Sequence, residues 1–212
     1  AQTVTITGVQ DGNGCQSAAV ANTSATFALV CDIYFAGKVF LSGPYVDFLG
    51  LMHDSLRQKG LIPLNQPYNT LTDFNYSGTE TVAPSVLAVT GANAIVDWVL
   101  VELRDKTDLT MILHRRAGLV QRDGDIVDLD GTSPIAFYGA PQGEYLVTVR
   151  HRNHLGVMTS ASIPFGPGVV AVDFTLNTTA NHQLSGSNGS THAQRTRFDG
   201  KRALWAGNMS NI

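Results

Sequence analysis

Charge is scarce in this chain. Only 15% of its residues are Asp, Glu, Lys or Arg, well under the quarter usual for soluble domains. The formal net charge is −3, and no basic cluster is dense enough to draw nucleic acid or an anionic membrane surface. Long apolar runs are missing as well. The longest, VLAVTGANAIVDWVLV, is interrupted by Gly91, Asn93 and Asp97 and falls short of the ~18 residues of a spanning helix. Cysteine is nearly absent: there are two, Cys15 and Cys31. Without a CxxC spacing they exclude a zinc ribbon or a thioredoxin-type redox site. In an oxidising compartment they would pair, closing a loop worth about 3 kcal/mol; the other reading is two buried thiols. GxSxG, HExxH and Walker patterns are all lacking, which removes the common hydrolase, metalloprotease and nucleotide signatures.

What is present is strand and turn. Val4, Ile6 and Val9 alternate with Thr3 and Thr5, which predicts a strand. Ile95–Arg104 is apolar on both faces and should lie at the centre of a sheet. Asp123-Gly124, Asp130-Gly131 and Pro141-Gln142-Gly143 are turn signals between further β-type runs. The pattern predicts an all-β protein, an antiparallel Greek-key β-sandwich with an N-terminal β extension. From Tyr45 the period changes, and a short helical insert is expected near residues 47–58. A polar connection follows over 70–83, and strands should resume at Val86–Val89. The chain divides into an N-terminal β segment (1–37) with the cysteines, a sandwich domain (38–176), and a flexible loop with a C-terminal anchor at Leu204 and Trp205 (177–212). The start Ala1-Gln2-Thr3, with neither initiator Met nor leader, is expected of a chain that has lost a signal peptide.

Several segments resemble one family. They are KVFLSGPY (38–45), DWVLVELRD (97–105), LVQRDGDIVDLDG (119–131), YLVTVRHRNHLGVMT (145–159) and ALWAGN (203–208). Together they look like a module found in secreted surface proteins of Bacteroidota exported by the type IX system, over roughly residues 38–207. The arrangement is also similar to transthyretin-like and carboxypeptidase-regulatory sandwiches, in architecture only. The resemblance implies an extracellular or cell-surface location. It implies no chemistry.

Five groups of residues are candidates for function. Asp123, Asp125, Asp128 and Asp130 fall within eight positions and would offer hard oxygen ligands to calcium; two Asp-Gly turns around an edge strand account for the same run. His151 and His154 point apart on an extended chain, which argues against a zinc pair. Arg115, Arg150 and Arg152 are expected to join Asp97, Glu102 or Asp105 in an ion-pair network, with Arg104 beside them. Glu80, Glu102 and Glu144 are the carboxylates from which a glycosidase pair would have to come. Tyr34, Tyr45, Tyr68, Tyr76, Tyr138 and Trp205 are candidate stacking rings for a glycan. The function expected is a non-catalytic structural or adhesive module, a subunit of a self-assembling filament or surface layer. It would contact further copies or other surface proteins, with Val4 and Ile6 as the strand that completes a neighbour's sheet. A carbohydrate-binding module is the alternative, and a glycoside hydrolase a third reading.

Overall fold

Alternating β-branched and polar residues, cut by Asp-Gly and Pro turns, give a molecule whose regular structure is mostly strand. The computed structural model describes residues 8–10, 16–18, 32–183 and 193–207. Cys15, Cys31, Val4 and Ile6 lie outside the described residues, so the disulfide and the strand-exchange contact expected of them fall there too. The first strands are β1 (Gly8–Gln10), β2 (Gln16–Ala18), β3 (Ile33–Lys38), β4 (Phe40–Leu41), β5 (Tyr45–Val46) and β6 (Leu51–Met52). Two one-turn helices follow, α1 (Ser55–Gln58) and α2 (Pro84–Leu87). Then come β7 (Ile95–Arg104), β8 (Ile112–Gln121), β9 (Asp125–Val127), β10 (Ile135–Phe137), β11 (Gly143–His151), β12 (His154–Met158), β13 (Ile163–Phe165), β14 (Val169–Asp173), β15 (Gln194–Thr196) and β16 (Arg202–Leu204).

The main sheet runs β10–β3–β9–β8–β7–β11–β12, with β13 on β11 and β14 on β3. It turns over on itself to make the expected sandwich. Phe35 of β3 meets Phe165 of β13 across the core at 6.5 Å. Gly118 of β8 permits the close approach: a Cβ there would stand 2.2 Å from Ile135 Cδ1. The pairing is antiparallel with two exceptions, β14 on β3 and β16 on β4, which are parallel. In both, the chain returns to its early strands only after building the rest of the molecule. The boundary expected at residue 37/38 cuts through β3, which is part of the main sheet. The 177–212 segment likewise adds strands, through β15 and β16 on β4.

β7 shows why two-sided apolarity puts a strand at the centre. Val96, Val99, Val101 and Leu103 enter the main core. Ile95, Trp98 and Leu100 enter a second core, closed by Ile62, Tyr68, Phe74 and Val82 from the segment before β7. Burial stabilises by roughly 1.5–3 kcal/mol per large apolar side chain. Hydrogen bonds fix the cover: Trp98 Nε1 donates to Pro63 O and Tyr68 Oη to Trp98 O, both at 2.8 Å. A register shift between Ile95 and Asp97 marks a bulge, which turns Val96 and Asp97 to the same face.

Two local expectations are corrected. Residues 45–52 form a hairpin, β5 on β6, turning at Gly50 with φ +62°; only Ser55–Gln58 is helical. Val86 lies in α2, not a strand, because Pro84 sits in the first turn with its φ already helical.

Candidate functional site

β11 and β12 are joined by Arg152 and Asn153 alone, and His151 pairs directly with His154. The tight turn overrides the extended-chain expectation and brings the rings together. Their centroids are 4.7 Å apart and nearly perpendicular, with Nδ1 to Nδ1 at 3.0 Å. The Asn153 N–H donates to His151 Nδ1 at 3.0 Å, so that nitrogen is the acceptor. His154 Nδ1–H must therefore be the donor between the rings, and His151 Nε2–H donates to Asp97 Oδ2 at 3.2 Å. Asp97 is held in turn by the Trp98 N–H (2.8 Å) and by Arg152 Nη2 (2.8 Å). The chain ends at His154 Nε2, which is buried and has no hydrogen-bond partner. The His154 side chain also lines a cleft of about 290 Å³, with Leu41, Gly43, Pro44, His53, Leu56 and Val96. Burial, with repulsion from His151, pushes the His154 pKa down to about 3, and Asp97 only partly opposes this.

On the other face of β7, Glu102 is fully buried among three guanidiniums. Arg104 Nε approaches at 3.0 Å, Arg150 Nη1 at 3.2 Å and Arg115 Nε at 3.4 Å. Each arginine also donates to a carbonyl beyond the sheet: Arg104 to Leu109, Arg115 to Asn75, Arg150 to Asp73. Arg150 lies over the Phe74 ring at 4.2 Å. The cluster fastens the covering segment to the sheet. Asp105 takes no arginine; its Oδ1 accepts the N–H groups of Thr107 and Asp108 in a turn.

The four aspartates of the calcium expectation do not converge on one point in the fold. Asp123 accepts from the Asp125 N–H (3.2 Å), and Asp125 pairs with Lys38 (2.9 Å). Asp128 is buried and takes Arg116, the Leu129 N–H and the Ala136 N–H. Asp130 closes the turn through Thr132 and Ser133. Among the described residues no three His, Cys, Asp or Glu side chains are placed to hold a metal ion. The three glutamates also stand apart: Glu80 accepts from Tyr76, and Glu144 pairs with Lys106 (2.7 Å). Of the candidate rings, Tyr45 and Tyr68 are buried. Tyr138 and Trp205 each have one face covered, by Arg116 and Arg195.

The most exposed aromatics among the described residues were not on that roll. Phe48 is 87% exposed and Phe198 98%. Phe48 reads in sequence as part of a helical face, yet it sits at the tip of the β5–β6 hairpin. Arg197 binds Asp47 with two bonds, Nε to Oδ1 at 2.9 Å and Nη2 to Oδ2 at 2.8 Å. The residues next to the two phenylalanines are thus clamped together. The same arginine donates to Tyr45 O and lies over the Tyr45 ring, while Tyr45 Oη donates to Asp199. Leu49, 48% exposed, extends the apolar tip. Phe-Leu-Gly at 48–50 carries the one available signal, an apolar pair entering a glycine turn. Compared with family models, curated proteins and solved structures, the chain matches none.

Proposed function

We propose that this chain is a non-catalytic interaction module of an extracellular or surface protein, and that its contact surface is the clasped pair of turns bearing Phe48, Leu49 and Phe198. The observation that carries this reading is the near-complete exposure of two phenylalanines whose neighbours are locked by a bidentate ion pair. Turn tips are ordinarily polar. Two large rings held in water there gain roughly 1.5–3 kcal/mol each on burial in a partner. The clasp lowers the cost of ordering them, and aromatic anchors of this kind dominate protein interfaces. The occupant proposed is a second copy of the chain. A surface with so little charge puts small repulsion between copies. The commitment of Glu80, Glu102 and Glu144 to separate partners supports the non-catalytic reading. The arginines over Tyr138 and Trp205 weigh against a glycan-stacking face.

Sedimentation of the wild type and of Phe48→Ser/Phe198→Ser checks the proposal. The wild type should associate with rising concentration, and the variant should remain a folded monomer with an unchanged or slightly raised Tm. Identical sedimentation of the two would remove the turns as the contact. Association that survives the double substitution and disappears when residues 1–10 are deleted would place the contact at Val4 and Ile6 instead.

A further inference from the structure

We propose that the clasped turns of one copy dock on a groove in the outer sheet face of the next copy, formed by β3, β9 and β14, with the Phe198 ring seated in it. This inference rests on the reading of the turns as the contact surface and adds the surface that receives them. The groove exists because the cover of the sheet stops halfway. Ile33, Phe35 and Val172 enter the main core, so Tyr34, Ala36 and Lys38 point to the opposite face. The register sets their neighbours. Tyr34 is paired with Val169, Ala36 with Ala171 and Lys38 with Asp173. On the other side Lys38 is paired with Asp125, and Ala36 lies beside Val127, one step past the Gly37–Ile126 pair. Val127 is sealed in the second core. Beyond it the cover ends: Ala171 is exposed, Tyr34 is 36% exposed and Val169 54%.

Two alanines between larger neighbours leave a trough. It holds about 270 Å³, with Thr132 and Pro134 as a side wall, against the ~150 Å³ of an apolar cavity that takes benzene. One phenylalanine ring fits. Tyr34 and Val169 continue the apolar strip past the trough, where Phe48 and Leu49 can lie. The charged row closes the other end. Lys38 is bound to Asp125 at 2.9 Å, and Asp173 Oδ1 accepts from Thr175. Among the described residues Asp173 is in no ion pair. Neither is Lys201, which shares a turn with Phe198, closed by the Arg197 N–H on Lys201 O. The tip thus offers a ring and an unpaired ammonium, and the groove offers room for a ring beside an unpaired carboxylate. Tip and groove share no residue. The contact is therefore head to tail, each copy giving its tip to one neighbour and its groove to another, and it propagates wherever the rotation does not close a ring.

Complementation by sedimentation tests this. Ala171→Arg fills the trough from an exposed position, and Thr132→Arg fills it from the rim; both leave the turns intact. Each should be a folded monomer at concentrations where the wild type associates. Phe48→Ser/Phe198→Ser keeps the groove and lacks the tip. Mixed in equal amounts with either arginine variant, it should form a one-to-one dimer and nothing larger, because the mixture holds only one kind of working tip and one kind of working groove. Folded arginine variants that associate as the wild type does, beside a monomeric serine variant, would overturn the groove and leave the turns as the contact. Monomeric variants whose mixtures also stay monomeric would overturn the head-to-tail arrangement. A wild type that never associates would remove the underlying reading of the turns, and this inference with it.

Discussion

Replacing Glu102 with Leu should destabilise the fold by about 3–5 kcal/mol, the cost typical of leaving buried charge without its partner. Three guanidiniums, all mostly buried, would then face one another with no carboxylate between them. In a chain of this length the melting temperature should fall by roughly 10–15 °C. Arg150→Met should cost much less, on the order of 1–2 kcal/mol. Glu102 loses its bond to Arg150 but keeps Arg104 and Arg115, and the bond to Asp73 O and the contact with Phe74 go as well. Urea unfolding of the two variants checks the asymmetry. If Glu102→Leu is no more destabilising than Arg150→Met, the carboxylate is not the hub of the cluster.

Stability should also fall as the solution is acidified below pH 6.5, through His154. Its folded pKa is pushed down to about 3, from 6.5, chiefly by burial. Between those values the unfolded chain binds the extra proton and the folded chain does not. Stability is therefore complete above pH 6.5 and declines as the pH drops toward 3, by up to about 1.4 kcal/mol per unit. From pH 6.5 to 4.5 the loss should reach about 2–3 kcal/mol. Asp54, Asp105, Asp108 and Asp130, whose pKa values are lowered, lose their contribution only at lower pH. His114 is lowered by burial too, so His114→Gln serves as the control. Facing His154 are His151, Asp97 behind it with Arg152, and His53 across the cleft. Urea unfolding at pH 7, 6, 5 and 4.5 should show a flatter profile for His154→Phe than for the wild type. Parallel profiles would mean that His154 carries its proton in the fold.

Local patterns in the sequence announce some of this architecture and are silent on the rest. The position of β7 follows from apolar residues on both of its faces, and the turns at Gly124 and Gly131, with φ of +93° and +77°, follow from Asp-Gly pairs. Arg150 and Arg152 point to carboxylate partners because charge on so apolar a strand must be matched. The histidine pair stays hidden because Arg152-Asn153 carries none of the glycine chemistry that marks a two-residue hairpin, and the run reads as one long strand. The helices of the covering segment are single turns, too short for a 3.6-residue period to register. The aspartates look like ligands because proximity along a chain says nothing about direction. In the fold each serves a different backbone N–H or cation. The clasp of Asp47 with Arg197 spans 150 residues, and no local pattern reports a contact at that distance.

That span has a bearing on the order of events in folding. Contacts between residues far apart in sequence form late, because closing the intervening loop must come first. Asp47 is made early on the ribosome and Arg197 close to the end of the described chain. The turn that bears Phe198 is fastened to the turn that bears Phe48 only after β16 has laid itself along β4. A half-made chain carries one exposed phenylalanine and lacks the other, so it presents half of a sticky surface during the interval when premature association does the most harm. If the proposed contact surface is right, completion of the domain and readiness to associate become the same event, timed by one ion pair.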